Sequence, residues 1–301
     1  MHHLSSESLE FFREHRFQVS TSLDGPEALH NANRPVASRD SYKRTVAGIA
    51  RARAILGTDA VSALTTLTRA SLDQPEAIID EYVRLGFRSI FLRPLSPYGF
   101  ATRSERRIGY PMSDFVRFYE RALRHLLALN RSGIEIAEVY AGILLSHILT
   151  PYHSGYVDLR SPAGAGQGVL VYNHDGGVYA SDEGRMLAEM GDETFRLGAV
   201  EMPYAELMTS PAMAAVRARS IAEALMPCGD CAFVPYCGAD PVMAHATGAA
   251  EAEPAAAHCE RHMGVFQQLF RLLDEGDPDT VRILTSWALR RSPRVLLHEA
   301  A

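Results

Sequence analysis

Hydrophobic positions in the first 130 residues alternate between two textures. Short, nearly continuous apolar runs give way to longer stretches in which apolar residues recur every three or four positions. FQVSTSLDGP (17–26) reads as a short buried strand ending in a Gly-Pro turn, and SYKRTVAGIARARAILG (41–57) as an amphipathic helix closed by glycine. VSALTTLTR (61–69) is the next predicted strand. PEAIIDEYVRLG (75–86) is a helix with proline at its start and glycine at its end. FRSIFLRPLSPYG (87–99) is a third strand broken by Pro and Gly, and a longer helix is predicted over Ser113 to Leu129. Strands alternating with helices predict an α/β fold with a parallel sheet, and apolar runs without alternation suit strands covered on both faces.

The texture changes near residue 150, which predicts two domains, 1–150 and 151–301. SPAGAGQG (161–168) is a glycine-rich loop, and GVLVYNHDGGVYASD (168–182) predicts a β-hairpin around its DGG turn. ALMPCGDCAFVPYCGADP (224–241) has neither period, and TGAAEAEPAAAHC (247–259) reads as a low-complexity surface loop. RHMGVFQQLFRLLDEG (261–276) places Met263, Phe266, Leu269, Phe270 and Leu273 on one face of a docking helix.

Composition narrows the class. The 301 residues are 47% apolar, which excludes general disorder, and a net charge of -6 gives no footprint for nucleic acid. The N-terminal MHHLSSESLEFFREH lacks the build of a secretory signal, and no apolar run approaches a membrane span. A cytoplasmic, soluble protein without a membrane partner is the expectation. In a reducing compartment, clustered cysteines point to metal rather than to disulfides.

All four cysteines lie in the pattern C-x2-C-x5-C-x21-C: Cys228, Cys231, Cys237 and Cys259. Three closely spaced thiolates and a remote fourth can close a tetrahedral sulfur shell, and the spacing accepts zinc and iron–sulfur alike. His245, His258 and His262 stand close enough in sequence to replace a ligand in a zinc site, although the histidines beside Cys259 are expected to be surface residues of the loop and the helix.

CGDCAFVPYCGADP (228–241) followed by AAAHCERHMGVFQQLF (255–270) resembles the SPASM domain, the cluster-binding module of one class of radical S-adenosylmethionine (radical SAM) enzymes. The resemblance implies that Cys228, Cys231, Cys237 and Cys259 are the ligands of one auxiliary 4Fe–4S cluster. The ligands of that module's other cluster have no match: Pro241 and Ser181 stand near two of the expected positions. STSLDGPEALHNANR (20–34) resembles the fourth strand of the radical SAM barrel, where the family shows S-x-D-G-x4-H-x3-R; the matching residues are Ser22, Asp24, Gly25, His30 and Arg34. A hydroxyl and a guanidinium at a strand end suit an amino-acid carboxylate. The resemblance therefore implies that Ser22, Asp24 and Arg34 bind the cosubstrate. It implies a partial parallel (βα) barrel followed by a loop-rich iron–sulfur domain. The wording LRPLSPYG (92–99) with CAFVPYCGADP (231–241) is similar to the maturases of the His-Xaa-Ser peptide system, whose partner is a ribosomally made precursor peptide.

Radical SAM chemistry also needs a C-x3-C-x2-C loop for its own 4Fe–4S cluster, and no cysteine precedes Cys228. The chain resembles the C-terminal two-thirds of a maturase. S-adenosylmethionine and a second cluster would then require the missing N-terminal half, supplied by a separately encoded partner, a companion maturase or a longer reading frame. Two rivals stand beside this reading: a non-catalytic peptide-binding subunit that holds a cluster, and a zinc-stabilised structural domain. No catalytic residue is identified. Arg93 and Tyr98 fit an active-site mouth or a loop anchor equally. Trp287 reads as packing, Asp80 and Glu81 as a solvated helix surface, and Asp182 and Glu183 as a pair without an assigned role.

Overall fold

The computed structural model describes residues 4–152, 154–250 and 252–293. These form two compact units. The first comprises the described residues through Leu95, Asp114–Gly142 and those from Glu275 onward; the second comprises Ser96–Ser113 and Ile143–Asp274.

The first unit opens with α1 (Ser6–Glu14), β1 (Val19–Ser22), α2 (Glu27–Asn33), α3 (Ser41–Leu56), β2 (Val61–Thr66) and α4 (Pro75–Arg84). The predicted strand–helix rhythm is present and its pairing is parallel: Val19 lies opposite Val61 and Ser22 opposite Leu64. The third predicted strand is split into β3 (Ser89–Ile90) and β4 (Leu92–Arg93). β4 pairs with β2, whereas β3 pairs in parallel with β5 (Ala137–Glu138). The sheets are therefore small, of order β1-β2-β4 and β3-β5. Parallel pairing agrees with the expected class, and the described residues form no continuous barrel sheet.

The predicted long helix follows as α6 (Met112–Arg131), after a short α5 (Phe100–Ile108) that belongs to the second unit. Phe115, Phe118, Tyr119, Ala122, Leu123 and Leu126 of α6 are buried at intervals of three and four, the spacing that presents one helical face. Each such large apolar side chain contributes about 1.5–3 kcal/mol when fully buried. α7 (Val139–Leu149) was not anticipated: VYAGILLSHIL is apolar all round, so periodicity cannot identify it. α13 (Pro278–Leu289) rejoins this unit, where Trp287 is buried as packing. A Cβ at Gly142 would stand 3.0 Å from the Trp287 carbonyl oxygen, so glycine is what lets α7 and α13 approach.

Glu81 is a correction to the solvated-surface expectation. Its side chain is buried, taking a hydrogen bond from the Tyr42 hydroxyl and pairing with Arg84. Asp80 does face solvent, with His125 Nε2 at 2.6 Å.

In the second unit the predicted hairpin is present as β6 (Val171–Tyr172) and β7 (Gly177–Tyr179), antiparallel, and β8 (Arg196–Ala199) adds a third strand. Gly176 in the turn has φ +83°, a conformation that glycine adopts without a Cβ penalty. α8 (Asp182–Ala188), α9 (Tyr204–Thr209), α10 (Pro211–Ala218) and α11 (Pro241–Ala246) surround a core that includes Val178, Ala180, Phe195, Met213 and Val242. The docking helix is α12 (Ala256–Asp274), beginning inside what composition marked as a surface loop. Among the described residues no helix is long and apolar enough to cross a membrane.

Candidate metal centre

The segment carrying three of the cysteines turns tightly at its start. Cys228–Asp230 forms a single 3-10 turn, and the Cys231 amide donates to the Cys228 carbonyl at 2.9 Å, which folds the C-x2-C pair back on itself. The chain turns again before the third thiol, where the Cys237 amide donates to the Phe233 carbonyl at 3.0 Å. Gly238 then lies against backbone: a Cβ there would meet the Arg160 nitrogen at 2.2 Å and the Asp158 carbonyl oxygen at 2.7 Å. The next amide, Ala239, donates to the Arg160 carbonyl at 3.2 Å, which pins the end of the segment.

The remote cysteine reaches the other three through aromatic packing. Phe233 stacks on Phe266 and Phe270 of α12, with centroids 5.5 and 5.9 Å apart. Tyr236 lies 5.3 Å from Phe270. Cys259 is in the first turn of the same helix. All four cysteines consequently line one pocket, whose apolar wall includes Phe233, Val234, Met263 and Phe266. Burial pushes the Cys237 thiol up to about 12, and burial together with the neighbouring thiols raises Cys228 and Cys259. Without an ion these groups stay protonated, so metal binding here must release protons. A set of four soft sulfur donors in an apolar pocket fits either an iron–sulfur cluster or zinc.

His258 and His262 correct the expectation that the histidines beside Cys259 are surface residues of the loop and helix. Both lie in α12, are only 2% and 1% exposed, and line the same pocket. Burial lowers both, His258 to about 3, so both rings are neutral at neutral pH. Their i, i+4 spacing puts them on one helix face, with centroids 4.0 Å apart. Only knowledge that residues 256–259 are helical rather than loop would have revealed this from sequence. His245, by contrast, is exposed and bonded to Asp192 at 2.7 Å.

The second group of candidate residues lies in the other unit. Ser22 ends β1, two residues before Asp24. Asp24 is 1% exposed and takes a fork of hydrogen bonds from Arg34, at 2.8 Å from Nε and 3.2 Å from Nη2, plus one from the Thr66 amide at 3.1 Å. His30 is buried beneath them and its Nδ1 accepts from the Asp24 amide at 3.2 Å. The structure thus brings Asp24 and Arg34 together, with two guanidinium nitrogens already engaged.

Elsewhere, Arg93 sits over the Phe91 ring at 5.4 Å. Tyr98 is 4% exposed, and its hydroxyl has no hydrogen-bond partner among the described residues. Burial, with Asp240 and Glu183 nearby, raises it strongly. Ser181 caps α8, accepting from the Gly184 amide at 3.2 Å, and Pro241 opens α11 behind its cap Asp240. Asp182 pairs with Arg185 at 3.0 Å. A feature missed from sequence is Glu138, fully buried at the end of β5.

No protein-family profile matches the chain, and no curated protein sequence matches it. Among solved structures it is similar to native anSMEcpe with bound AdoMet, at 18% identity and a TM-score of 0.73, covering 91% of this chain and 72% of that one. It is also similar to anSMEcpe with bound AdoMet and the Kp18Cys peptide, at 16% identity and a TM-score of 0.70 over 95% of this chain and 74% of that one. The form with AdoMet and the Cp18Cys peptide gives 18%, 0.71 and the same coverages. The shared feature at this identity is the fold.

Proposed function

We propose that this protein is a radical S-adenosylmethionine peptide-modifying enzyme, or a subunit of one, whose auxiliary centre is a single 4Fe–4S cluster held by Cys228, Cys231, Cys237 and Cys259. The observation that carries the reading is the gathering of all four thiols, from segments 22 positions apart, around one apolar pocket. The fold likeness to anSMEcpe, solved with AdoMet and with peptides, supports the enzyme class and a peptide partner. The LRPLSPYG and CAFVPYCGADP wording supports a His-Xaa-Ser type of precursor.

In this reading residues 151–301 carry the auxiliary centre, and residues 1–150 carry cosubstrate contacts at Ser22, Asp24 and Arg34. Asp24 holds the Arg34 fork in one orientation, leaving the rest of the guanidinium for a carboxylate. Residues 1–227 contain no cysteine, so the reading assigns no radical-generating cluster to them. Helix starts at Ser181 and Pro241, each with ordinary capping, support one cluster rather than two. When bound, such a cluster supplies one-electron transfer. Phe233, Val234 and Phe266 form an apolar wall beside the half-buried thiols, which give up their protons on binding. A reducing cytoplasm suits four free cysteines.

Iron and sulfide analysis of anaerobically purified protein, with an absorption spectrum, tests the reading. About four irons and about four sulfides per chain are expected. Zinc without sulfide would remove the electron-transfer role.

A further inference from the structure

The thiol pocket contains more donors than one four-coordinate centre uses. Beside the four cysteines it is lined by His258 and His262. Cys237 Sγ and one ring nitrogen from each of these histidines lie within 4.8 Å of one another.

Hydrogen bonding fixes the tautomers, because a backbone carbonyl can only accept. His262 Nδ1–H donates to the His258 carbonyl at 2.7 Å, and His258 Nε2–H donates to the Gly238 carbonyl at 3.3 Å. The lone pairs therefore sit on Nε2 of His262 and Nδ1 of His258. His258 is 2% exposed, and its Nδ1 meets no hydrogen-bond partner among the described residues. A buried basic nitrogen without a donor is unfavourable, and a metal ion removes that deficit. A backbone bond on the opposite ring nitrogen is also how metal-binding histidines are oriented.

We propose that Cys237, His258 and His262 form a site for a single divalent transition-metal ion of the zinc type, overlapping the four-cysteine site through Cys237. One thiolate and two imidazoles suit zinc or cobalt(II), with the fourth position left to water or to another thiol of the pocket. Binding converts Cys237–SH and M²⁺ into a sulfur–metal bond and one released proton; the neutral imidazoles release none. Because Cys237 belongs to both donor sets, occupancy by the single ion excludes a cluster that uses all four cysteines. The inference does not rest on the cluster reading, since it concerns the metal-free chain offered one ion.

The test uses the full chain, stripped of metal under reducing, anaerobic conditions and titrated with cobalt(II), followed by X-ray absorption of the zinc-loaded form. One ion per chain is expected, with a first shell that mixes sulfur and at least two nitrogens. His258→Ala and His262→Ala should each weaken cobalt affinity by about tenfold or more. His245→Ala, outside the pocket, should leave it unchanged. An all-sulfur shell in the unmodified protein, or affinity indifferent to both pocket histidines, would overturn the proposal. The absorption measurement needs no variant, so a misfolded substitution cannot obscure the answer. Iron and sulfide reconstitution is a separate experiment, and its failure would leave this result standing.

Discussion

Phe233 and Phe266 stack with their centroids 5.5 Å apart and their planes 15° from parallel, and this contact couples the C-x2-C-x5-C segment to the helix bearing Cys259. Two segments distant in sequence thereby become walls of one pocket. Phe266 is fully buried, so Phe266→Ala removes both the stack and a filled volume. A loss of about 3–5 kcal/mol is expected by denaturant unfolding. Metal retention should fall with it, whereas a surface aromatic such as Tyr172, 61% exposed, should tolerate the same change. Equal tolerance at both positions would refute the coupling.

Gly238 tests the same closure from the backbone side. A Cβ at this position would stand 2.2 Å from the Arg160 nitrogen, so Gly238→Ala must displace main chain rather than a flexible side chain. The variant should lose metal and cost at least about 2 kcal/mol, comparable to other strained or overpacked sites. Wild-type stability and metal content would show that the backbone contact is not tight.

The Asp24–Arg34 pair is asymmetric, because the Asp24 side chain is 1% exposed and that of Arg34 is 37% exposed. Arg34→Ala leaves a buried carboxylate with the Thr66 amide but without its cation, whereas Asp24→Ala leaves a guanidinium that reaches water. Arg34→Ala should therefore be the more destabilising, by about 1–2 kcal/mol relative to Asp24→Ala, once solvent screening at Arg34 is allowed for. Chemical denaturation of the two variants decides it, and the reverse order would contradict the burial asymmetry.

Glu138 makes stability pH-dependent. Its carboxylate accepts from the Tyr119 hydroxyl and from the Leu92 and Ala141 amides at 3.0 and 2.5 Å, yet burial raises it to about 7 from 4.5. A carboxyl with a raised native value binds its proton more tightly when folded. Its stabilising contribution is complete below about pH 4.5 and is lost as pH rises to about 7. The loss is on the order of 3 kcal/mol. Glu138→Gln, neutral at every pH, should flatten that part of the stability profile; an unchanged slope between the two values would rule Glu138 out as its source.

Much of this was legible along the chain. Parallel pairing of β1 with β2 follows from apolar runs separated by helices, and the Asp-Gly-Gly turn announces the β6–β7 hairpin. Both are local: the period of the side chains and the turn residues decide them within a dozen positions. The face of α12 was readable in part: Phe266 and Leu269 are buried as their helical spacing predicts, whereas Met263 is exposed and His258, His262 and Val265 complete the buried side. The all-apolar α7 and the division of residues 89–93 between two partners were not readable, because no period distinguishes a buried helix from a buried strand and a ladder partner is chosen at long range.

For the site, the sequence by itself determined which atoms are present and that four thiols at C-x2-C-x5-C-x21-C are able to converge. Only the tertiary structure decided that they line one pocket, that His258 and His262 face it from a buried turn of α12, and that Glu81 and Glu138 are removed from water. The physical reason is that burial is a property of what packs against a residue. An imidazole beside Ala-rich sequence looks solvated until Phe233 and Tyr236 close over the helix that carries it.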